Sequence, residues 1–245
     1  MAPPLVVAAA KRDRSAHVRA VLWDLDGTLT DSVQLVVDTM NTVIAAHGGP
    51  HLEYEHLGAM TGQPLDAMFR TAWPDLSDDD VARYRVEYRA VYERDAVPMT
   101  RLFRGARSTL HAFHAAGLRQ ATVTGKRAAD CERILRGLGI KRDIDVYLGG
   151  DSVERPKPAP DLARHAMERL GVAPSETIVV GDSAADIAMG RSAGARTIQV
   201  LWGYAREPLP DADVIVRTWV ELRALVLGSA ARRPGILRSG GPLRS

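Results

Sequence analysis

Six short apolar runs recur along the chain, and the stretches between most of them have helical periodicity. The runs are Ala20–Trp23, Gln120–Val123, Val146–Leu148, Thr177–Val180, Thr197–Leu201 and Val214–Val216. They are short and rich in Val and Ile, which is typical of strands that are buried on both faces of a parallel sheet. The pattern therefore predicts an α/β fold, a doubly wound, Rossmann-like parallel sheet covered by helices on both sides.

The pattern changes between Ser32 and about Arg101. Apolar residues there recur at helical spacing, as in 33–47 and 81–94, and no convincing strand is present. We expect this segment to be an α-helical cap, inserted after the first strand and placed above the strand ends as a lid.

These boundaries divide the chain into a core, a cap and two tails. We expect a core domain made of 18–32 and 102–228 and a cap domain made of 33–101. The ends, 1–17 and 229–245, carry scattered basic residues, and the second of them contains Pro and Gly without a single acidic residue. We expect both ends to be disordered.

Composition narrows the class of protein. The chain has 245 residues, of which 46% are hydrophobic, and a net charge of +2, so its charge favours neither a nucleic-acid partner nor a membrane partner. The single cysteine, Cys131, cannot form an intrachain disulfide, and the apolar residues 5–10 are too short for a signal core or a membrane span. We expect a cytoplasmic protein, and the sequence leaves the oligomeric state open.

Two acidic residues, Asp24 and Asp26, follow the first apolar run and are separated by a single leucine. In an extended backbone, alternate side chains share a face, so both carboxylates can point into one space. One of them can then bind a divalent cation and attack phosphorus while the other passes a proton to the departing oxygen. The alternative is that the acids and Gly27 form only a turn and a helix cap.

Two further segments offer groups that bind phosphate. Thr124 and Gly125 end the second apolar run, where a hydroxyl and exposed backbone N–H groups can hold phosphate oxygens, although a plain turn would have the same residues. Lys157 stands between two prolines, which limit the backbone and direct the ammonium group. A solvent-facing start of a helix is the alternative for Lys157.

A second acidic pair, Asp182 and Asp186, follows the run Thr177–Val180. If a helix begins near Ser183, both carboxylates can face the same end of the sheet and form a cation site with Asp24. They could instead be a helix cap and a partner of the helix dipole.

These four segments, in this order, resemble those of the haloacid dehalogenase superfamily, and within it the phosphoglycolate phosphatase group with a helical cap. The resemblance extends over roughly residues 18–227 and implies a phosphatase that acts on a small-molecule phosphate ester. It implies Asp24 as the nucleophile that forms an aspartyl-phosphate and Asp26 as general acid and then base. It also implies Mg²⁺ held by Asp24, the backbone carbonyl of Asp26 and Asp182.

The resemblance extends to the remaining contacts as well. It places Asp186 near the metal and makes Thr124 and Lys157 phosphate-binding groups. Gly125 stands where relatives often carry Asn or Asp, so that only its backbone donor remains. In the cap, residues 60–65 resemble a loop that faces the substrate, and Gln63 is the residue that we expect to contact it.

Two other functions stay open at this stage. A phosphomutase of the β-phosphoglucomutase type would use the same core, but its cap would need arginines for a second phosphate, and Arg70 is the basic residue nearest the expected loop. A non-enzymatic module that binds phosphate or a protein partner is the third hypothesis. The presence of both Asp24 and Asp26 argues against it.

Overall fold

The computed structural model describes residues 17–53, 65–205 and 207–230. Its centre is a six-stranded sheet in which every neighbouring pair of strands is parallel. The strands of the described residues are β1 (Ala20–Trp23), β2 (Thr30–Asp31), β3 (Arg101–Leu102), β4 (Arg119–Val123), β5 (Val146–Leu148), β6 (Thr177–Gly181), β7 (Arg196–Val200) and β8 (Val214–Val216). The order across the large sheet is β5-β4-β1-β6-β7-β8, whereas β2 and β3 form a separate antiparallel pair.

Helices connect the strands and cover the sheet. Those of the described residues are α1 (Val33–Ala46), α2 (Leu65–Ala72), α3 (Asp78–Met99), α4 (Ala106–Ala115), α5 (Ala128–Gly137), α6 (Asp161–Leu170), α7 (Ala184–Ala193) and α8 (Trp219–Ala230). The alternation of parallel strands and helices confirms the predicted α/β fold.

Both faces of the sheet are buried, as strand β1 shows. Val21 and Trp23 belong to the larger apolar cluster, whereas Ala20 and Leu22 belong to a second cluster. All four side chains are fully buried. Because alternate residues of a strand face opposite sides of a sheet, burial on both sides requires the unbroken apolar run that the sequence shows.

The helices α1–α3 lie between β2 and β3 in the chain and form the helical cap. The two linkers that enter and leave this segment pair with each other, with Thr30 opposite Leu102 and Asp31 opposite Arg101. The sequence did not predict this pair, because two-residue strands are too short to produce an alternating pattern. We keep 33–101 as the proposed bounds of the cap domain.

Helix α3 is longer than the pattern of residues 81–94 predicts. Ser77 caps its start, since the Ser77 side chain accepts a hydrogen bond from the backbone N–H of Asp80 at 3.1 Å. At the other end the helix passes Pro98 and ends at Met99. A proline disrupts a helix through its missing N–H and its contact with the preceding turn, but Pro98 lies so close to the end that the helix is nearly complete before it.

Helix α8 also differs from the expected boundary, because it continues to Ala230. Residues 229 and 230, which we expected to be disordered, are therefore helical, whereas 1–16 and 231–245 lie outside the described residues. Cys131 is fully buried, where its sulfur lies 3.2 Å from the Thr122 hydroxyl. Burial raises the pKa of Cys131 to about 12, which leaves a packed, unreactive thiol.

In the part of the chain that the structure describes, none of the helices combines the length and the apolar character that a membrane crossing requires. The cytoplasmic location stays a prediction.

Candidate active site

The site lies at the carboxyl end of β1, where the strand order reverses direction. The chain places β4 on one side of β1 and β6 on the other, and in a doubly wound sheet such a reversal leaves a crevice for ligands. Trp23, the last residue of β1, pairs with Thr122 of β4 and Val180 of β6. The residues that follow these three strands therefore meet at one edge of the sheet.

Asp24, directly after β1, is buried and forms an ion pair with Lys157. The Lys157 ammonium donates to Asp24 Oδ1 at 2.7 Å and to Asp186 Oδ1 at 2.6 Å. Burial, followed by the charge of Asp186, raises the pKa of Asp24 well above its usual range. Burial alone would lower the pKa of Lys157, but Asp186 and Asp24 together raise it above its usual value. The Lys157 side chain therefore stays positively charged although it is buried.

Asp186 has two roles, one for each of its oxygens. Oδ2 accepts hydrogen bonds from the Ser183 hydroxyl at 2.6 Å and from the Ser183 backbone N–H at 3.1 Å, which caps α7. Oδ1 accepts from Lys157. Asp186 therefore caps a helix through one carboxylate oxygen, and its other oxygen contacts Lys157.

Asp182, directly after β6, is held by a loop that crosses the strand end. Its Oδ2 accepts the backbone N–H of Tyr204 at 2.7 Å. Burial and the negative charge of Asp186 raise the pKa of Asp182 to about 7. Gly27 and Gly203 lie against this carboxylate so closely that a Cβ on either residue would collide with it.

The three carboxylates form a group that could hold a metal ion. One oxygen each of Asp24, Asp182 and Asp186 lies within 4.8 Å of the others, and all three residues are buried. Lys157 is the one cation that touches this group among the described residues, so negative charge exceeds positive charge. Buried negative charge in excess is unstable without a counterion, and hard oxygen donors suit a divalent cation such as Mg²⁺.

Asp26 lies beside this group and is fixed through both oxygens. Lys126 is 2.8 Å from Oδ2, and the Ser32 hydroxyl donates to Oδ1. The Ser32 backbone N–H in turn donates to the Tyr204 hydroxyl at 2.8 Å. Because a hydroxyl can donate or accept, the contact with Ser32 persists whether Asp26 is protonated or ionised.

A cleft of about 160 Å³ connects the core residues with the cap. The core supplies Asp24, Asp26, Thr124, Gly125 and Lys157 to its walls. The cap contributes residues of α1, α2 and α3, among which Tyr88 and Tyr92 are buried. The structure thus brings five of the residues singled out in the sequence into one cleft, and Asp182 and Asp186 lie behind Asp24.

Gln63, the expected cap contact, lies outside the described residues. Arg70 is not part of the cleft, because it forms an ion pair with Asp78 at 2.5 Å on the cap surface. The cap arginine that lines the cleft is Arg89 of α3.

Sequence reasoning also missed Lys126, which lies next to Gly125. Its ammonium reaches Asp26 and lies 4.4 Å from the centre of the Tyr92 ring, so this one side chain joins the core to the cap. The charge of Asp26 opposes the effect of burial and raises the pKa of Lys126 well above its usual value. A lysine directly after a Thr-Gly turn at a strand end was the available signal.

Comparison with known proteins agrees with this geometry. The family model described as "haloacid dehalogenase-like hydrolase" matches residues 21–200, which is most of the chain. The chain belongs to this family. The expected resemblance is thereby confirmed, and the match spans all the strand ends that form the site.

Named relatives of this hydrolase are phosphatases. It is 33% identical over 206 residues to a phosphoglycolate phosphatase of Xylella fastidiosa, an alignment that covers 82% of this chain and 90% of the relative. It is also 33% identical over 205 residues to an N-acetylmuramic acid 6-phosphate phosphatase of Pseudomonas aeruginosa, with 82% and 91% covered. These relatives confirm the expectation of an enzyme of the phosphatase type.

Solved structures share the fold. A predicted phosphatase from Clostridium acetobutylicum superimposes with a TM-score of 0.79 at 22% sequence identity, covering 87% of this chain and 100% of that one. At that identity the likeness concerns the fold alone.

Proposed function

We propose that this hydrolase releases phosphate from a small phosphomonoester through an aspartyl-phosphate on Asp24, with Mg²⁺ as its cofactor. The observation that carries the proposal is that Asp24 belongs both to the buried carboxylate group and to the wall of the cleft. A nucleophile in that position has metal ligands behind it and substrate in front of it.

The cofactor part of the proposal rests on the donor set. The side chains of Asp24, Asp182 and Asp186, with the backbone carbonyl of Asp26, would hold Mg²⁺. Bound there, the ion would neutralise negative charge on the phosphate oxygens and so permit an anionic nucleophile to approach.

Asp24 and Asp26 divide the reaction between them. A carboxylate oxygen of Asp24 attacks phosphorus, the bond to the ester oxygen breaks, and protonated Asp26 gives its proton to that oxygen. Asp26, now ionised, takes a proton from a water molecule whose oxygen attacks the phosphorus. The bond between Asp24 and phosphorus then breaks, which frees inorganic phosphate and regenerates both carboxyl groups.

The remaining core residues position the phosphate. The Lys157 ammonium supplies positive charge next to Asp24, and the Thr124 hydroxyl and the Gly125 backbone N–H offer hydrogen bonds to phosphate oxygens. Lys126 and Ser32 act through Asp26 by holding its carboxyl group toward the cleft.

For the substrate we propose phosphoglycolate first and N-acetylmuramic acid 6-phosphate second. Both are the substrates in the names of similar proteins, and both carry a carboxylate as well as a phosphate ester. The cleft volume of about 160 Å³ is below the roughly 300–1,000 Å³ of pockets that hold drug-sized ligands, which favours the smaller substrate.

A phosphate-release assay tests the proposal. The purified protein is incubated with phosphoglycolate, N-acetylmuramic acid 6-phosphate and glucose 6-phosphate, each with Mg²⁺ and with EDTA. We expect release that depends on Mg²⁺ and is fastest for phosphoglycolate. Absence of release from every ester in the presence of Mg²⁺ would contradict the proposed activity, and equal release in EDTA would contradict the cofactor.

A phosphomutase remains the second candidate, because Arg89 brings a cationic side chain from the cap into the cleft. A mutase would need such a group to hold a second phosphate. Adding a sugar bisphosphate to a sugar monophosphate distinguishes the two functions: a mutase yields the isomeric monophosphate, whereas the proposed phosphatase yields free phosphate.

The glycine beside Asp182 provides a prediction for metal binding. We expect Gly203→Ala to weaken Mg²⁺ binding by roughly 10-fold or more, because its new Cβ would meet the Asp182 carboxylate and the Gly27 carbonyl and displace a ligand. Mg²⁺ titration by calorimetry and the Mg²⁺ dependence of phosphate release both measure the effect.

The control for this prediction is Gly228→Ala in α8, where a Cβ has open space around it. We expect it to leave Mg²⁺ binding unchanged. If the Gly203→Ala protein is folded and binds Mg²⁺ as the wild type does, Asp182 is not a ligand or its position does not matter.

A further inference from the structure

Four cationic side chains line the cleft among the described residues: Lys126, Lys157, Arg127 and Arg89. Three of them already have acidic partners. Lys157 binds Asp24 and Asp186, and Lys126 binds Asp26. Arg127 donates to Asp130 at 2.8 Å and also binds Glu93.

Arg89 is the exception among the described residues, since none of them forms a hydrogen bond or ion pair with it. The acidic residue one helical turn further along α3 is Glu93, at an i+4 position from which it could pair with Arg89. Glu93 binds Arg127 instead. An arginine one turn earlier, Arg85, is already paired with Asp66 at 2.9 Å.

The position of Arg89 on α3 directs it to the cleft. It directly follows Tyr88 and lies three residues before Tyr92, which are two of the buried cap residues that line the cleft. Residues three apart, such as Arg89 and Tyr92, are neighbours on the surface of a helix. Arg89 itself is exposed. Its guanidinium group is therefore available to a ligand at the solvent side of the tyrosines.

We infer that Arg89 binds the carboxylate of the substrate and so selects phosphomonoesters that carry a second, acidic group. The inference rests on the proposed function, because the phosphate itself is assigned to the core end of the cleft. Lys157 and Thr124 are at that end and Arg89 comes from the cap, and all three line the same cleft.

An arginine suits this task better than a lysine. Its planar guanidinium group can donate two parallel hydrogen bonds to the two oxygens of a carboxylate. We expect these hydrogen bonds to raise the affinity for the carboxylate roughly 10- to 150-fold, which corresponds to the about 1.5–3 kcal/mol that hydrogen bonds to charged groups contribute.

The test uses three phosphonates that cannot be hydrolysed and that share a two-carbon chain. 3-Phosphonopropionate ends in a carboxylate, propylphosphonate ends in a methyl group, and ethane-1,2-diphosphonate ends in a second phosphonate. Their affinities are measured by calorimetry in the presence of Mg²⁺ for the wild type, Arg89→Gln, Arg89→Lys and Arg83→Gln. Arg83 is the matched control, because it lies on the same helix and pairs with Asp80 outside the cleft.

We expect the wild type and Arg83→Gln to bind 3-phosphonopropionate at least 10-fold more tightly than propylphosphonate. Arg89→Gln should lose this preference through weaker binding of the carboxylate compound alone, and Arg89→Lys should keep part of it. A wild type without the preference, or an Arg89→Gln protein that retains it, overturns the inference. Stronger Arg89-dependent binding of the diphosphonate overturns the assignment to a carboxylate and favours the phosphomutase.

This binding test is independent of turnover. Failure of the proposed activity appears as absence of phosphate release from phosphoglycolate by the wild type. Failure of the inference appears as phosphonate binding that is insensitive to Arg89, whatever the release assay shows.

Discussion

Replacing Asp24 with asparagine is expected to reduce phosphate release by at least about 10³-fold while the protein stays folded. The amide has nearly the same shape as the carboxylate, but it cannot attack phosphorus and it is a weaker ligand for Mg²⁺. Asp24 lines the cleft, whereas Asp186, the other carboxylate that Lys157 contacts, does not. Steady-state phosphate release, with circular dichroism as the check on folding, measures the effect.

The matched control is Asp38→Asn, which makes the same chemical change on an exposed face of α1. Its phosphate release should equal that of the wild type. Acid quenching after brief exposure to ³²P-labelled phosphoglycolate adds a direct readout, since only proteins with a carboxylate at residue 24 should retain label. Normal turnover by the Asp24→Asn protein would rule out this nucleophile.

The second large effect concerns Lys157. Its ammonium is the shared partner of two buried carboxylates, with a side chain only 6% exposed. Replacement by methionine keeps most of the volume but leaves Asp24 and Asp186 without a positive charge. We expect the free energy of unfolding in EDTA to fall by about 3 kcal/mol, the lower end of the cost of breaking a buried ion pair. Phosphate release should fall at least about 100-fold, because charge next to the transferred phosphate is lost.

Mg²⁺ distinguishes this explanation from a simple packing defect. A divalent cation held by the same carboxylates would neutralise part of the charge that Lys157 no longer balances. Saturating Mg²⁺ should therefore restore more stability to the Lys157→Met protein than to the wild type. Lys141→Met, which removes a surface ion pair with Glu132, is the control and should change stability much less. Equal stability of the Lys157→Met and wild-type proteins in EDTA would show that the buried carboxylates do not need this partner.

The acidic residues of the site could be found in the sequence because each one directly follows an apolar strand or lies within a turn of it. Asp24 follows β1 and Asp182 follows β6, and the two strands are neighbours in the sheet. Parallel strands present their carboxyl ends at one edge, so the residues that follow them meet without any further information. Lys157 was a harder case, because only its flanking prolines marked it.

The groups contributed through side-chain packing could not be found in this way. Lys126 was visible in a quoted segment, yet nothing in the sequence said that its ammonium would reach Asp26 and the ring of Tyr92. Arg89 and Arg70 are both cap arginines on helices, and only the structure shows that one lines the cleft while the other pairs with Asp78. The short β2–β3 pair that joins the ends of the cap was likewise invisible.

By itself, then, the sequence determined the six strands of the large sheet, the class of fold, the acidic pairs and the kind of chemistry that they support. Those features depend on local periodicity and on the fixed geometry of parallel strands. Only the tertiary structure decided which face of α3 meets the core, and which cations of the cleft are paired with acidic residues of the described chain. These outcomes depend on how elements far apart in the chain pack against each other. The apolar periodicity of a helix shows which of its faces is buried, but it does not show which element packs against that face.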